Sequence, residues 1–223
     1  MSDKISIPLS IIVAGLLIGG GYYLNGRNKI NNQNSLGTSS MVQEQIKQAA
    51  NIRPVDANDH ILGNPSAPVV IVEYSDTECP FCKEFHKTMR ALMSDYGSKG
   101  NIAWVYRHFP VAELHSKAAK ESEAIECAGE LGGNSKFWEY TNRLYEITPS
   151  NNDLDPKELT NIAKQVGLSS DKFNTCLESE QYAPRVKADV NDAQGAGGEG
   201  TPFSIIIDTK TRDTYPINGA YPY

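Results

Sequence analysis

The stretch EYSDTECPFCKEFH, Glu73 to His86, constrains this chain more than any other. It holds a Cys-x-x-Cys pair, Cys79 and Cys82, between two segments of different character. The run before it, Ala67-Pro68-Val69-Val70-Ile71-Val72, is apolar and β-branched, which reads as a buried strand. After it, Phe85, Met89, Leu92 and Met93 recur at helical spacing. The pair therefore falls where a strand hands over to a helix, with Cys79 at the helix N-terminus.

That position has a chemical consequence. The first turn of a helix carries free N–H groups and the positive end of the dipole. A thiolate at Cys79 is stabilised there, and its lowered pKa makes it a nucleophile at neutral pH. Cys82, one turn on, is placed to attack a mixed disulfide at Cys79. Pro80 suits the first helical position, where its missing N–H costs nothing, and Phe81 offers an apolar surface beside the sulfurs. The competing reading is half of a zinc site with His86 as a third ligand. Structural zinc takes four ligands, and no second Cys-x-x-Cys or His-x-His follows, so redox chemistry is the favoured reading.

The stretch resembles the active site of the DsbA-like thiol:disulfide oxidoreductases, a branch of the thioredoxin superfamily, and is similar to its membrane-anchored members. The resemblance spans roughly Ala57 to Tyr223 and rests on several separated parts, among them Arg107-His108-Phe109-Pro110, Thr201-Pro202 and Asn218-Gly219-Ala220-Tyr221-Pro222. It implies a thioredoxin-like α/β fold with an inserted helical subdomain. It gives Glu73, six residues before Cys79, the role of a buried acid that moves the proton of Cys82. Physics supports the same role, since desolvation raises a buried carboxyl toward the working range; a solvated strand-end acid is the alternative. The resemblance makes Pro202 cis and facing the Cys pair, with the backbone of Thr201 free to pair with a substrate strand. Four cysteines allow three connectivities. Some family members carry a second, structural disulfide, and the resemblance implies Cys127–Cys176; two free buried thiols are the alternative. Relatives also continue into a final helix where this chain ends at Tyr223, so the expectation is either a truncated sequence or an exposed sheet face.

In chain order, residues 1–24 read as a membrane anchor, because Ile5 to Leu24 is an uncharged run long enough to cross a bilayer. A cleaved signal peptide is the alternative. Residues 25–56 are rich in Asn, Gln and Ser and read as a linker, with Met41 to Ala50 as a solvated spacer rather than a helix. Residues 57–223 form the thioredoxin-like domain, in which His60 to Gly63, Asn101 to Tyr106, Phe203 to Ile207 and Thr214 to Ile217 are further strands. Residues 113–190 form the helical insertion, stopped within by Gly132-Gly133, and Gln194 to Gly200 a flexible return. Asp76 and Glu78 read as solvated loop acids that oppose a thiolate, His60 as surface, and His108 and His115 as structural rather than a metal pair.

The net charge of −6, with no basic patch, excludes nucleic acid as a partner. The function expected is an extracytoplasmic oxidoreductase forming disulfides in exported proteins, needing no metal or organic cofactor. Its partners would be reduced or unfolded exported proteins and a membrane oxidant of the DsbB or vitamin K epoxide reductase type, the last on resemblance alone. A disulfide in the insertion would fix an oxidising compartment, with the domain outside the cytoplasm. Pro80-Phe81 lacks the His found between the cysteines of the strongest oxidants, so a reductase is the first alternative. A membrane-tethered metal-binding or chaperone module is the second.

Overall fold

A computed structural model of the chain describes residues 33–223. The expected anchor, Ile5 to Leu24, and the first part of the linker lie outside the described residues. Among the described residues, no helix is long and apolar enough to cross a membrane. Residues 41–223 form one compact unit.

The compact unit is built on a five-stranded mixed sheet of β1 (His60–Gly63), β2 (Val69–Ser75), β3 (Ile102–His108), β4 (Phe203–Asp208) and β5 (Thr214–Asn218), in the order β1-β3-β2-β4-β5. β2 and β3 run parallel, with Glu73 opposite Tyr106, and the other pairings are antiparallel. Side chains alternate across a strand, so a sheet covered on both sides needs strands that are apolar throughout. This is why Val69 to Val72 carries no polar residue. Ile71, Trp104 and Tyr106 enter one core; Val70, Val72, Tyr74, Ala103 and Val105 enter the other.

The first core is closed by α2 (Pro80–Leu92), which continues into a π-helical turn (Met93–Gly97), and by the helical insertion. The insertion comprises α3 (Ala118–Ile147), α4 (Lys157–Gln165) and α5 (Ser170–Ser179), followed by α6 (Ala183–Gly195). Within α3 only Gly133 leaves helical geometry, at φ 73° and ψ −172°. That region is open to glycine alone, so the Gly pair breaks α3 into two arms. Cys127 of α3 and Cys176 of α5 are joined as a disulfide.

Four sequence expectations are corrected. Met41 to Ala50 is not a solvated spacer: it belongs to α1 (Gln33–Ala49), whose Ala49 is fully buried in the second core, with Ile52 and Val55 packed against it. The residue that docks is a small alanine, while the larger Met41 and Val42 stand exposed. Gln194 and Gly195 end α6 rather than begin a hinge. His60 is half-buried, stacked on Phe137 with ring centroids 3.5 Å apart and paired to Glu126 at 3.1 Å. Asp76 and Glu78 are fully buried.

Candidate active site

β2 ends at Ser75, and the turn Asp76-Thr77-Glu78 delivers the chain to α2. Cys79 is the N-cap, in an extended conformation (φ −78°, ψ 121°), and Pro80 follows at the first helical position. The Cys79 N–H donates to the Asp76 carbonyl at 3.2 Å. Cys79 is 5% exposed and Cys82 fully buried, whereas Phe81 stands 66% exposed. Of the two, only Cys79 keeps any exposure.

The environment separates the two thiols. A hydrogen bond from the Cys82 side chain, helped by the Cys82 and Phe81 N–H groups and Thr201, holds the Cys79 thiol down at about 6 against the cost of burial. Burial pushes the Cys82 thiol well up, and the Cys79 sulfur beside it adds to that rise. The Asp76 N–H donates to Cys82 Sγ at 3.4 Å. A nucleophile poised near neutral pH thus sits beside a sulfur that keeps its proton.

Thr201-Pro202 is a cis peptide bond. The Thr201 carbonyl accepts a hydrogen bond from Cys79 Sγ at 3.6 Å. An open cavity of about 290 Å³, lined by Glu199, Gly200, Thr201, Pro202, Asn218 and Gly219, adjoins it. Beneath the sulfurs, Glu73 is fully buried on β2, and neither carboxyl oxygen meets a hydrogen-bond donor at close range. Burial raises its pKa to about 7, offset in part by the Ser75 and Trp104 polar groups nearby. Ser75, Tyr145 and Tyr106 form a hydroxyl chain at 2.9 and 3.0 Å. The two tyrosines feel both the Glu73 and the Cys82 charge, which places both groups in one dry polar pocket.

His86 does not join the cysteines: its Nε2 meets Asn142 Oδ1 at 2.8 Å, and burial holds its pKa down at about 4. His108 pairs with Glu126 at 2.9 Å and His115 with Asp76 at 2.9 Å. Cys127 and Cys176 lie in the insertion, apart from the free pair. Sequence reasoning missed Glu121, which bonds Thr77 at 2.5 Å and is 2% exposed. One signal was present: Glu121 shares a helix face with Ala118, Ile125 and Ala128, so an acid stands in an apolar stripe.

The fold and this site define the protein's class. The family model described as Thioredoxin matches residues 56–217, and the chain belongs to that family. Pseudomonas aeruginosa DsbA2 superposes with a TM-score of 0.62 at 26% identity, over 76% of this chain and 90% of that one. A Rickettsia typhi protein named as a protein-disulfide oxidoreductase is 28% identical over 206 residues, 86% of this chain and 71% of its own length. The Na(+)/H(+) antiporter NhaA 1 of Salinispora arenicola is 34% identical over 165 residues, 74% of this chain. The chain spans only 24% of that antiporter's length.

Proposed function

We propose that this protein forms disulfides in exported proteins on the outer side of the cytoplasmic membrane, with Cys79 as the exchanging sulfur. The observation that carries this reading is the split between an accessible thiol held at about 6 and a buried partner held well above its ordinary value. Stabilising the Cys79 thiolate stabilises the reduced enzyme, which makes the oxidised enzyme a better oxidant.

The steps follow from that split. A substrate thiolate attacks Cys79 Sγ of the oxidised pair; the Cys79–Cys82 bond breaks, and the electron pair leaves on Cys82. Cys82 is a poor leaving group without a proton, and Glu73, titrating at about 7, supplies one. A second substrate thiolate then attacks the substrate sulfur of the mixed disulfide and expels Cys79 as a stable thiolate. Two electrons have passed to the enzyme. A membrane oxidant of the DsbB or vitamin K epoxide reductase type would remove them. Thr201 and Pro202 would hold the substrate backbone along the adjoining cavity, and exposed Phe81 would meet its side chains.

The uncharged run Ile5 to Leu24 supports a single membrane anchor. The Cys127–Cys176 bridge supports an oxidising compartment for the domain.

The test is a trapping experiment with a substrate protein that carries a disulfide, which the Cys79 thiolate attacks in the reverse of the same exchange, releasing one substrate thiolate. Cys82→Ser should accumulate a mixed disulfide through Cys79, and Cys79→Ser should form none. Turnover by Cys79→Ser would remove the mechanism.

A further inference from the structure

Two acids immediately precede the nucleophile, and both are buried. Carboxylates so placed oppose a nearby thiolate. Asp76 has partners enough: its Oδ2 accepts from the Val111 N–H at 2.7 Å and meets His115 Nδ1 at 2.9 Å, while its Oδ1 accepts from the Glu78 N–H at 2.8 Å. Glu78 is different. Its Oε2 accepts from the Asn152 N–H at 2.6 Å, and its carbonyl accepts from the Asn151 N–H at 2.8 Å. Its Oε1 is buried and receives no hydrogen bond from any N–H or hydroxyl among the described residues.

The carboxyl of Glu121, 2% exposed, reaches the same turn at Thr77, the residue before Glu78. The Thr77 hydroxyl donates to Glu121 Oε2 at 2.5 Å. Asp76 lies nearby on the same turn, Tyr140 faces Glu121 from the second arm of α3, and His115 is engaged by Asp76. No Lys or Arg forms an ion pair with Glu78 or Glu121 among the described residues. Two carboxyl groups crowded into a dry site disfavour double ionisation.

We infer that Glu121 is a positioning residue for the Cys79 thiol: it gives Glu78 a shared proton, so the pair carries one dispersed negative charge, and it ties the turn before Cys79 to α3 and to the Ser150-Asn151-Asn152 loop. The three loop residues all have positive φ (70°, 57° and 67°), a conformation that needs outside support in residues other than glycine. Glu78 supplies that support through two backbone N–H groups. The inference rests on Cys79 being the nucleophile.

Burial first, and Glu78 second, push the Glu121 carboxyl up. The folded state then keeps a proton that the unfolded chain releases. Stability from this group is complete below the ordinary carboxylate range and is lost as pH rises toward the folded value.

The test uses the reduced full chain with Glu121→Gln and Glu121→Ala. From about pH 5 to about pH 8.5, the stability of E121Q should depend on pH less steeply than wild type, by about one proton. The second readout is the rate at which iodoacetamide alkylates Cys79 at about pH 5.5, which follows its thiolate fraction. E121Q can still donate to Glu78 and should react within about twofold of wild type, whereas E121A leaves Glu78 its full charge and should react about threefold slower or less. A wild-type stability slope in E121Q overturns the inference, as does an unchanged or faster rate in E121A. Should E121A fail to fold, the E121Q slope alone decides. Cys79 unreactive at neutral pH in the wild type would instead overturn the nucleophile assignment, a case the stability slope tells apart.

Discussion

Glu73 is the residue whose environment and chemistry are most closely joined. Its carboxyl is buried without a donor and titrates at about 7 rather than in the ordinary carboxylate range. A folded-state pKa raised in this way means the folded protein holds a proton the unfolded chain has lost. The associated stability is present in full below the carboxylate range and disappears as pH rises to about 7. Glu73→Gln removes that loss, so at about pH 8 it should stabilise the protein by up to about 3 kcal/mol in denaturant titration. The same substitution should slow the attack of a substrate thiolate on the oxidised pair and erase its inflection near neutral pH, as stopped-flow measurement would show. Greater stability together with slower chemistry separates a proton carrier from a packing residue.

At the scale of elements, the insertion and the sheet contribute different things. The Cys127–Cys176 bridge ties α3 to α5 across a sequence separation of 49 residues. Cys127→Ser with Cys176→Ser should cost about 2–4 kcal/mol of stability, read from the denaturation midpoint, while leaving Cys79 alkylation unchanged. What the sequence revealed follows the same division. β2 and β3 are buried on both faces, so their apolar runs were legible, and the switch to helical spacing after Cys79 located the nucleophile. The burial of Asp76 and Glu78 was not legible. Their partners are Val111, His115, Glu121 and Asn152, all far along the chain, and local pattern reads an acid in a turn as solvated. The docking of α1 was hidden for a related reason: a small alanine enters the core, while the larger apolar Met41 and Val42 of the same helix stand exposed. His60 was misjudged because its partners, Glu126 and Phe137, lie on the two arms of α3.

Across the whole molecule, a buried charge network joins segments that the sheet alone does not. Arg107, at the end of β3, donates to both carboxylate oxygens of Asp59 at 2.9 and 2.8 Å, and to Asp192 of α6 at 2.8 Å. It also bonds the Arg53 and Pro54 carbonyls at 3.1 and 3.3 Å. The segment before β1, the central sheet and α6 therefore share one guanidinium. Arg107→Ala leaves buried Asp59 with only the longer Arg53 ion pair at 3.2 Å and should cost about 3–5 kcal/mol in denaturant titration. α6 packs on β2 and β3, and the active-site turn leaves the end of β2. The central claim is that the frame and the site favour the reduced pair and so make the oxidised protein a disulfide donor. The measurement that tests it most directly is the reduction potential of the Cys79–Cys82 couple in the full chain, equilibrated against glutathione. The account predicts a two-electron couple less negative than the thioredoxin value of about −270 mV, toward the value of about −120 mV of the strongest oxidant of this kind. A couple at or below about −270 mV, or none at all, would contradict it.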